Sequence, residues 1–163
     1  MPKDINIEPL PLFRYTGLID FDRLYETLVS WYKDQKYAFF EDKYIYKGNE
    51  IELGLRGEKT VTAWCKYCVE IEVKIIDAKE TEVIINEEKK RMLKGRLQFF
   101  VKAKYTLDPG KKWEGSKFLE HARDFYFSYL IKNQIKGWHV DLVKKVRELY
   151  KLVKEITQVT ARE

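Results

Sequence analysis

Residues 61–75 read VTAWCKYCVEIEVKI, and this stretch decides the fold class. Val61, Ala63, Cys65, Tyr67, Val69, Ile71, Val73 and Ile75 place an apolar side chain at every odd position. Thr62, Lys66, Glu70, Glu72 and Lys74 hold polar groups between them. A period of two puts one face of a strand against a core and the other in water. A strand this long must twist or bulge to wrap a core.

Downstream, Asp77 to Glu80 reads as a turn, Val83 and Ile85 begin a further strand, and Asn86 to Lys90 form a charged tip. Gly95, Leu97, Phe99, Val101, Ala103, Tyr105 and Leu107 then share one face, and Asp108-Pro109-Gly110 ends the sheet. Upstream, Ile51, Leu53 and Leu55 alternate with Glu50, Glu52 and Arg56, bounded by a Gly48-Asn49 hairpin and by a turn at Gly57-Glu58-Lys59. Tyr37 to Lys47 is aromatic and strand-like.

Helices flank this run of strands. Asp20 is placed to cap a helix in which Phe21, Leu24, Leu28 and Trp31 recur every three or four residues. Ser116 caps a second, with Phe118, Ala122, Phe125 and Tyr129 on one stripe. Gly137 is expected to break the chain before a long amphipathic helix carrying Trp138, Leu142, Val146, Leu149, Val153 and Ile156. At the other end, Ile5 and Ile7 alternate with Asn6 and Glu8 before Pro9 and Pro11, so residues 1–12 form an edge strand or extended arm. Strands in a run, then helices, give an α+β domain over 1–163: a twisted antiparallel sheet with helices on one face, including a long C-terminal helix.

The 163 residues are close to the usual size of one domain and need no disulfide or metal staple. Many Lys and Glu with few Asn, Gln, Met and Cys is the composition of a thermophile protein or of a biased genome. No apolar run suits a signal peptide or a membrane span, so a cytoplasmic location without membrane contact is expected.

The element order resembles the helix-grip (START-like) arrangement, in which a long helix lies across a curved sheet. GLIDFDRLYETLVSWYKDQKY at 17–37 and WEGSKFLEHARDFY at 113–126 resemble small archaeal proteins of no known activity. That resemblance implies an archaeal source and transfers no site residue.

Catalytic chemistry finds little foothold. Cys65 and Cys68 form one CxxC inside a strand, and positions three apart on a strand face opposite ways. His121 and His139 lack a partner on their own helix face. The carboxylates Glu70, Glu72, Glu82 and Glu148 sit near Lys or Arg and read as solvated ion pairs. No phosphate-cradling loop, nucleophile elbow or metalloprotease motif occurs. The reading is therefore non-enzymatic, with no metal or cofactor.

The basic residues are the suggestive feature. Between 87 and 104, seven cations (Lys89, Lys90, Arg91, Lys94, Arg96, Lys102 and Lys104) face two anions, Glu87 and Glu88. That local excess of five equals the net charge of the chain, +5. Residues 132–163 add eight cations against four anions. A basic sheet face of this kind would dock on RNA or a ribonucleoprotein such as the ribosome, by charge and shape rather than base reading. Pairing of the same cations with Glu70 and Glu72 would leave an ordinary solvated face. The alternatives are a helix-grip pocket for a small apolar ligand and a self-assembling subunit. In the last, the N-terminal arm adds to another protomer's sheet as a homodimer, unless it pairs within its own domain.

Overall fold

The computed structural model describes residues 3–85, 87–107, 116–130 and 132–162. The expected sheet exit at Asp108-Pro109-Gly110 and the tip residue Asn86 lie outside the described residues. In chain order the elements are β1 (Lys3–Asn6), β2 (Phe13–Ile19), α1 (Phe21–Asp34), β3 (Ala38–Lys47), β4 (Glu50–Thr62), β5 (Cys65–Ile85), β6 (Glu88–Leu107), α2 (Lys117–Phe125) and α3 (Lys132–Arg162). A π-helical turn, Tyr126–Leu130, follows α2.

The architecture is α+β. Every ladder is antiparallel, and the sheet order is β1-β6-β5-β4-β3, with β2 also on β6. β1 and β2 are two halves of one edge. Asn6 pairs with Lys104 and Phe13 with Phe99, and the segment containing Pro9 and Pro11 bows away between them because proline has no N–H for the ladder. Ile7 still donates its N–H to the Ala103 carbonyl at 3.1 Å. The N-terminal arm is thus taken up within its own sheet.

The alternation of β5 does what the period of two demands. Val69, Ile71, Val73 and Ile75 are at most 1% exposed and face the helices with Leu53, Leu55, Phe99 and Val101. From α3, Leu142, Val146, Leu149 and Val153 fill the space above the sheet; from α1, Leu24, Leu28 and Tyr32 do the same. Helix α1 starts where the Asp20 side chain accepts from the Arg23 N–H at 3.2 Å, and α2 where Ser116 accepts from Leu119 at 3.1 Å.

Three expected breaks are not breaks. Gly57-Glu58-Lys59 stays within β4, which turns only after Thr62, so Val61 belongs to β4 and Ala63 to the turn. Gly57 serves close packing instead: the place a Cβ would take is occupied by the Tyr32 ring. Asp77 to Glu80 is a bulge, with Asp77 at φ 55° and the register shifting between Ile76 and Lys79. The Ala78 N–H donates to the Asn49 carbonyl at 2.7 Å, and β5 continues to Ile85. Among the described residues no other strand pairs with the β5–β6 hairpin between Thr81 and Met92, and it projects as a two-stranded ribbon. Gly137 lies inside α3 with nothing near its Cα side, so it costs the helix about 1 kcal/mol and does not end it.

Candidate nucleic-acid interface

The seven cations expected to form one stripe do not share a face. On the ribbon, Lys89 lies across from Ile84 and Arg91 across from Glu82, while Lys94, Arg96, Lys102 and Lys104 alternate onto the opposite side of β6. The side chain of Lys90 lies outside the described residues. Of the four on the outer sheet face, three are held by carboxylates. Arg96 pairs with Asp77 of the bulge, Lys102 with Glu70 at 3.1 Å, and Lys104 with Asp4 at 3.4 Å. The Glu70 hydrogen bond and charge lift the Lys102 ammonium above its ordinary value. Among the described residues no carboxylate lies within ion-pair distance of Lys89, Arg91 or Lys94, and all three are exposed.

The rest of that face is no better suited to a polyanion. A cleft of about 420 Å³ opens over Gly54, and Asp42, Glu52, Glu70 and Glu72 line it beside Lys43 and Lys74. Lys43 and Lys74 both pair with Glu52, holding its carboxyl below the usual value. Lys66 does the same for Glu58 at 2.9 Å. The outer sheet face is therefore a lattice of cross-strand ion pairs.

The second basic run behaves differently. On α3, Leu142, Val146, Leu149 and Val153 point into the core, and the opposite side carries Lys136, Val140, Lys144, Arg147 and Lys151 at steps of four, four, three and four. All five are exposed. Glu148 was expected to pair with Lys144 and Lys151, but among the described residues neither Lys136, Lys144, Arg147 nor Lys151 has a carboxylate within ion-pair distance. Lys154 continues the row and lies over the Tyr150 ring at 4.5 Å. The row borders a groove of about 900 Å³ whose other wall is the bowed segment Ile7 to Pro11. The spacing that aligns these cations is visible in the sequence; sequence reading counted them without placing them on one side of a helix.

One polar cluster was missed altogether. At the start of α3, the Tyr67 hydroxyl lies 3.2 Å from an Asp141 oxygen and 3.1 Å from the Trp138 carbonyl. His139 Nδ1 is 3.3 Å from the Tyr105 hydroxyl, with the rings edge to face. Tyr67 and Tyr105 are cross-strand neighbours, so no sequence window contains the cluster. Burial first, and then Asp141, raise the Tyr67 phenol; burial and Cys65 raise Tyr105. Both keep their protons at neutral pH and act as anchors between sheet and helix, not as bases. His121 is exposed on α2.

Cys65 and Cys68 lie on opposite faces of β5, one opposite Leu107 and the other opposite Lys104, so the CxxC does not converge. Both are buried, including Cys68 on the outer face, where Ile7 and Pro9 of the bowed segment lie beside it. Among the described residues no three potential ligands gather as a metal site, and no helix is long and apolar enough to cross a membrane. Compared with protein-family models, with curated proteins and with solved structures, the chain matches none.

Proposed function

We propose that the protein is a non-enzymatic binding module that docks on RNA or a ribonucleoprotein through the exposed side of α3. The observation that carries this reading is the row Lys136, Lys144, Arg147 and Lys151, exposed and without carboxylate partners among the described residues. The row spans sixteen residues, or roughly 22 Å of helix, so one compact anion cannot meet all of it. A phosphate backbone can, and each neutralised phosphate releases counterions. The paired cations of the outer sheet face contribute less, because docking there must first break ion pairs with Glu70, Asp4 and Asp77. Lys89 and Arg91, on one side of the ribbon, remain a second point of attachment. No aromatic side chain lies in the α3 row, so recognition is of charge and shape.

The test is a salt titration of binding to a labelled mixed-sequence RNA. Wild type should bind with a steep dependence on salt, and Lys144→Glu, Arg147→Glu and Lys151→Glu together should abolish binding. Each phosphate contact removed should lower the slope of log affinity against log salt by about 0.7. Equal affinity of wild type and the triple variant, or no binding at physiological salt, would overturn the reading.

A further inference from the structure

The two edges of the sheet are not alike. One is the broken edge of β1 and β2, bent away at Pro9 and Pro11. The other is β3, ten residues long, with no strand among the described residues paired to its free side. An unbroken edge strand offers a row of unpaired backbone groups, and natural edges are usually blunted by proline, brevity or charge. β3 has no proline, and its large apolar side chains are about half exposed: Phe40 is 42% exposed, Tyr44 49%, Ile45 40% and Tyr46 54%.

From this edge we infer that β3 pairs antiparallel with β3 of a second copy of this chain, merging two six-stranded sheets about a twofold axis. The occupant is argued from self-complementarity. The bulge between Glu41 and Lys43 resets the alternation of β3: Phe39, Glu41, Tyr44 and Tyr46 share the helix side, and Phe40, Lys43, Ile45 and Lys47 the outer side. With the axis between residues 42 and 43, Phe40 of one copy faces Ile45 of the other on the outer side. Phe39 faces Tyr46 and Glu41 faces Tyr44 on the helix side. Asp42 and Lys43, each also paired in its own chain with Arg56 and Glu52 respectively, face each other with opposite charge at the axis. Every pair in this register joins side chains of the same face. Without the bulge, the same register would set outer-face residues against helix-side residues. Each apolar pair occurs twice, so every favourable cross-strand contact counts double in the dimer. The axis is perpendicular to the sheet, so both copies of α1 remain on one side. There Phe21, 6.1 Å from Tyr44 by ring centroid, borders the joint. This inference is independent of RNA docking, because the α3 row borders the β1–β2 edge of the sheet, opposite β3, and the measurement uses no nucleic acid.

The experiment is native mass spectrometry and sedimentation of nucleic-acid-free protein in the high-micromolar range. The expected species is a dimer of twice the 19.6 kDa chain mass. Phe40→Lys with Ile45→Lys sets like charges opposite each other in this register and should raise the dissociation constant roughly tenfold or more. The register is read separately by oxidative cross-linking. A mixture of Phe40→Cys and Ile45→Cys chains should form a heterodimeric disulfide, and either chain alone should not. A wild-type monomer throughout this range, a dimer of unchanged affinity in the folded double variant, or cross-linking of either substituted chain alone at the level of the mixture would each overturn the inference.

Discussion

The Tyr32 hydroxyl donates a 2.8 Å hydrogen bond to the Val69 carbonyl while its ring lies over Gly57, so one side chain of α1 fixes the helix to two neighbouring strands. The bond is buried and joins residues 37 apart in sequence. Tyr32→Phe should cost about 1 kcal/mol, the net value of one buried bond whose acceptor keeps its ladder partners. Gly57→Ala should cost more, about 1–3 kcal/mol, because the ring must move. Urea unfolding with unchanged m-values would measure both.

Acid should loosen the outer sheet face. The Lys66 hydrogen bond and charge hold Glu58 below its ordinary value of 4.5, and Lys43 and Lys74 do the same for Glu52. A carboxyl whose folded value is depressed stabilises the fold fully above its unfolded value, and that contribution disappears as pH falls through the folded one. Thermal midpoints should therefore be level near neutrality and drop from about pH 5 downward. Glu58→Gln and Glu52→Gln should make that acid decline shallower.

Thiol reagents should report unfolding rather than a reactive site. Burial pushes the Cys65 thiol up to about 12 and raises Cys68 as well. At pH about 8 both are thiols and both are covered, so Ellman's reagent should label neither in the folded protein and both after denaturation. Prompt native labelling of Cys68 would mean that the bowed segment at Ile7 and Pro9 opens readily.

The two sides of α3 should separate cleanly under mutation. Leu149 is fully buried, and Leu149→Ala should cost about 2–5 kcal/mol. Lys151, on the exposed side, should tolerate alanine within about 0.5 kcal/mol. Loss of RNA binding in Lys151→Ala at unchanged stability would then be a property of the surface alone.

What the sequence disclosed tracks how local each signal is. The inward set of β5, the caps Asp20 and Ser116 and the inward stripe of α3 are written in short windows, and the structure keeps them. The breaks at Gly57, Asp77 and Gly137 were misread because glycine and aspartate mark turns only when nothing distant uses the position. Gly57 accommodates a ring, Asp77 makes a bulge tied to Asn49, and Gly137 sits where no neighbour opposes the helix. The pairing of Lys104 with Asp4 and the meeting of His139 with Tyr105 depend on sheet register, which no window contains. Net charge located a basic segment at 87–104, but only the cross-strand partners distinguish a neutralised lysine from a free one.

The edge formed by β1 and β2 has a consequence for synthesis. Residues 3–19 find their partners at 93–107, so β1 and β2 leave the ribosome well before β6, the strand on which their ladders close. At about 5–20 residues per second, that segment waits roughly 5–20 s without its hydrogen bonds. The nascent chain meanwhile exposes Ile5, Ile7 and Phe13 to whatever else is present. The two prolines between the half-strands make this early segment a poor template for wrong pairing during that interval.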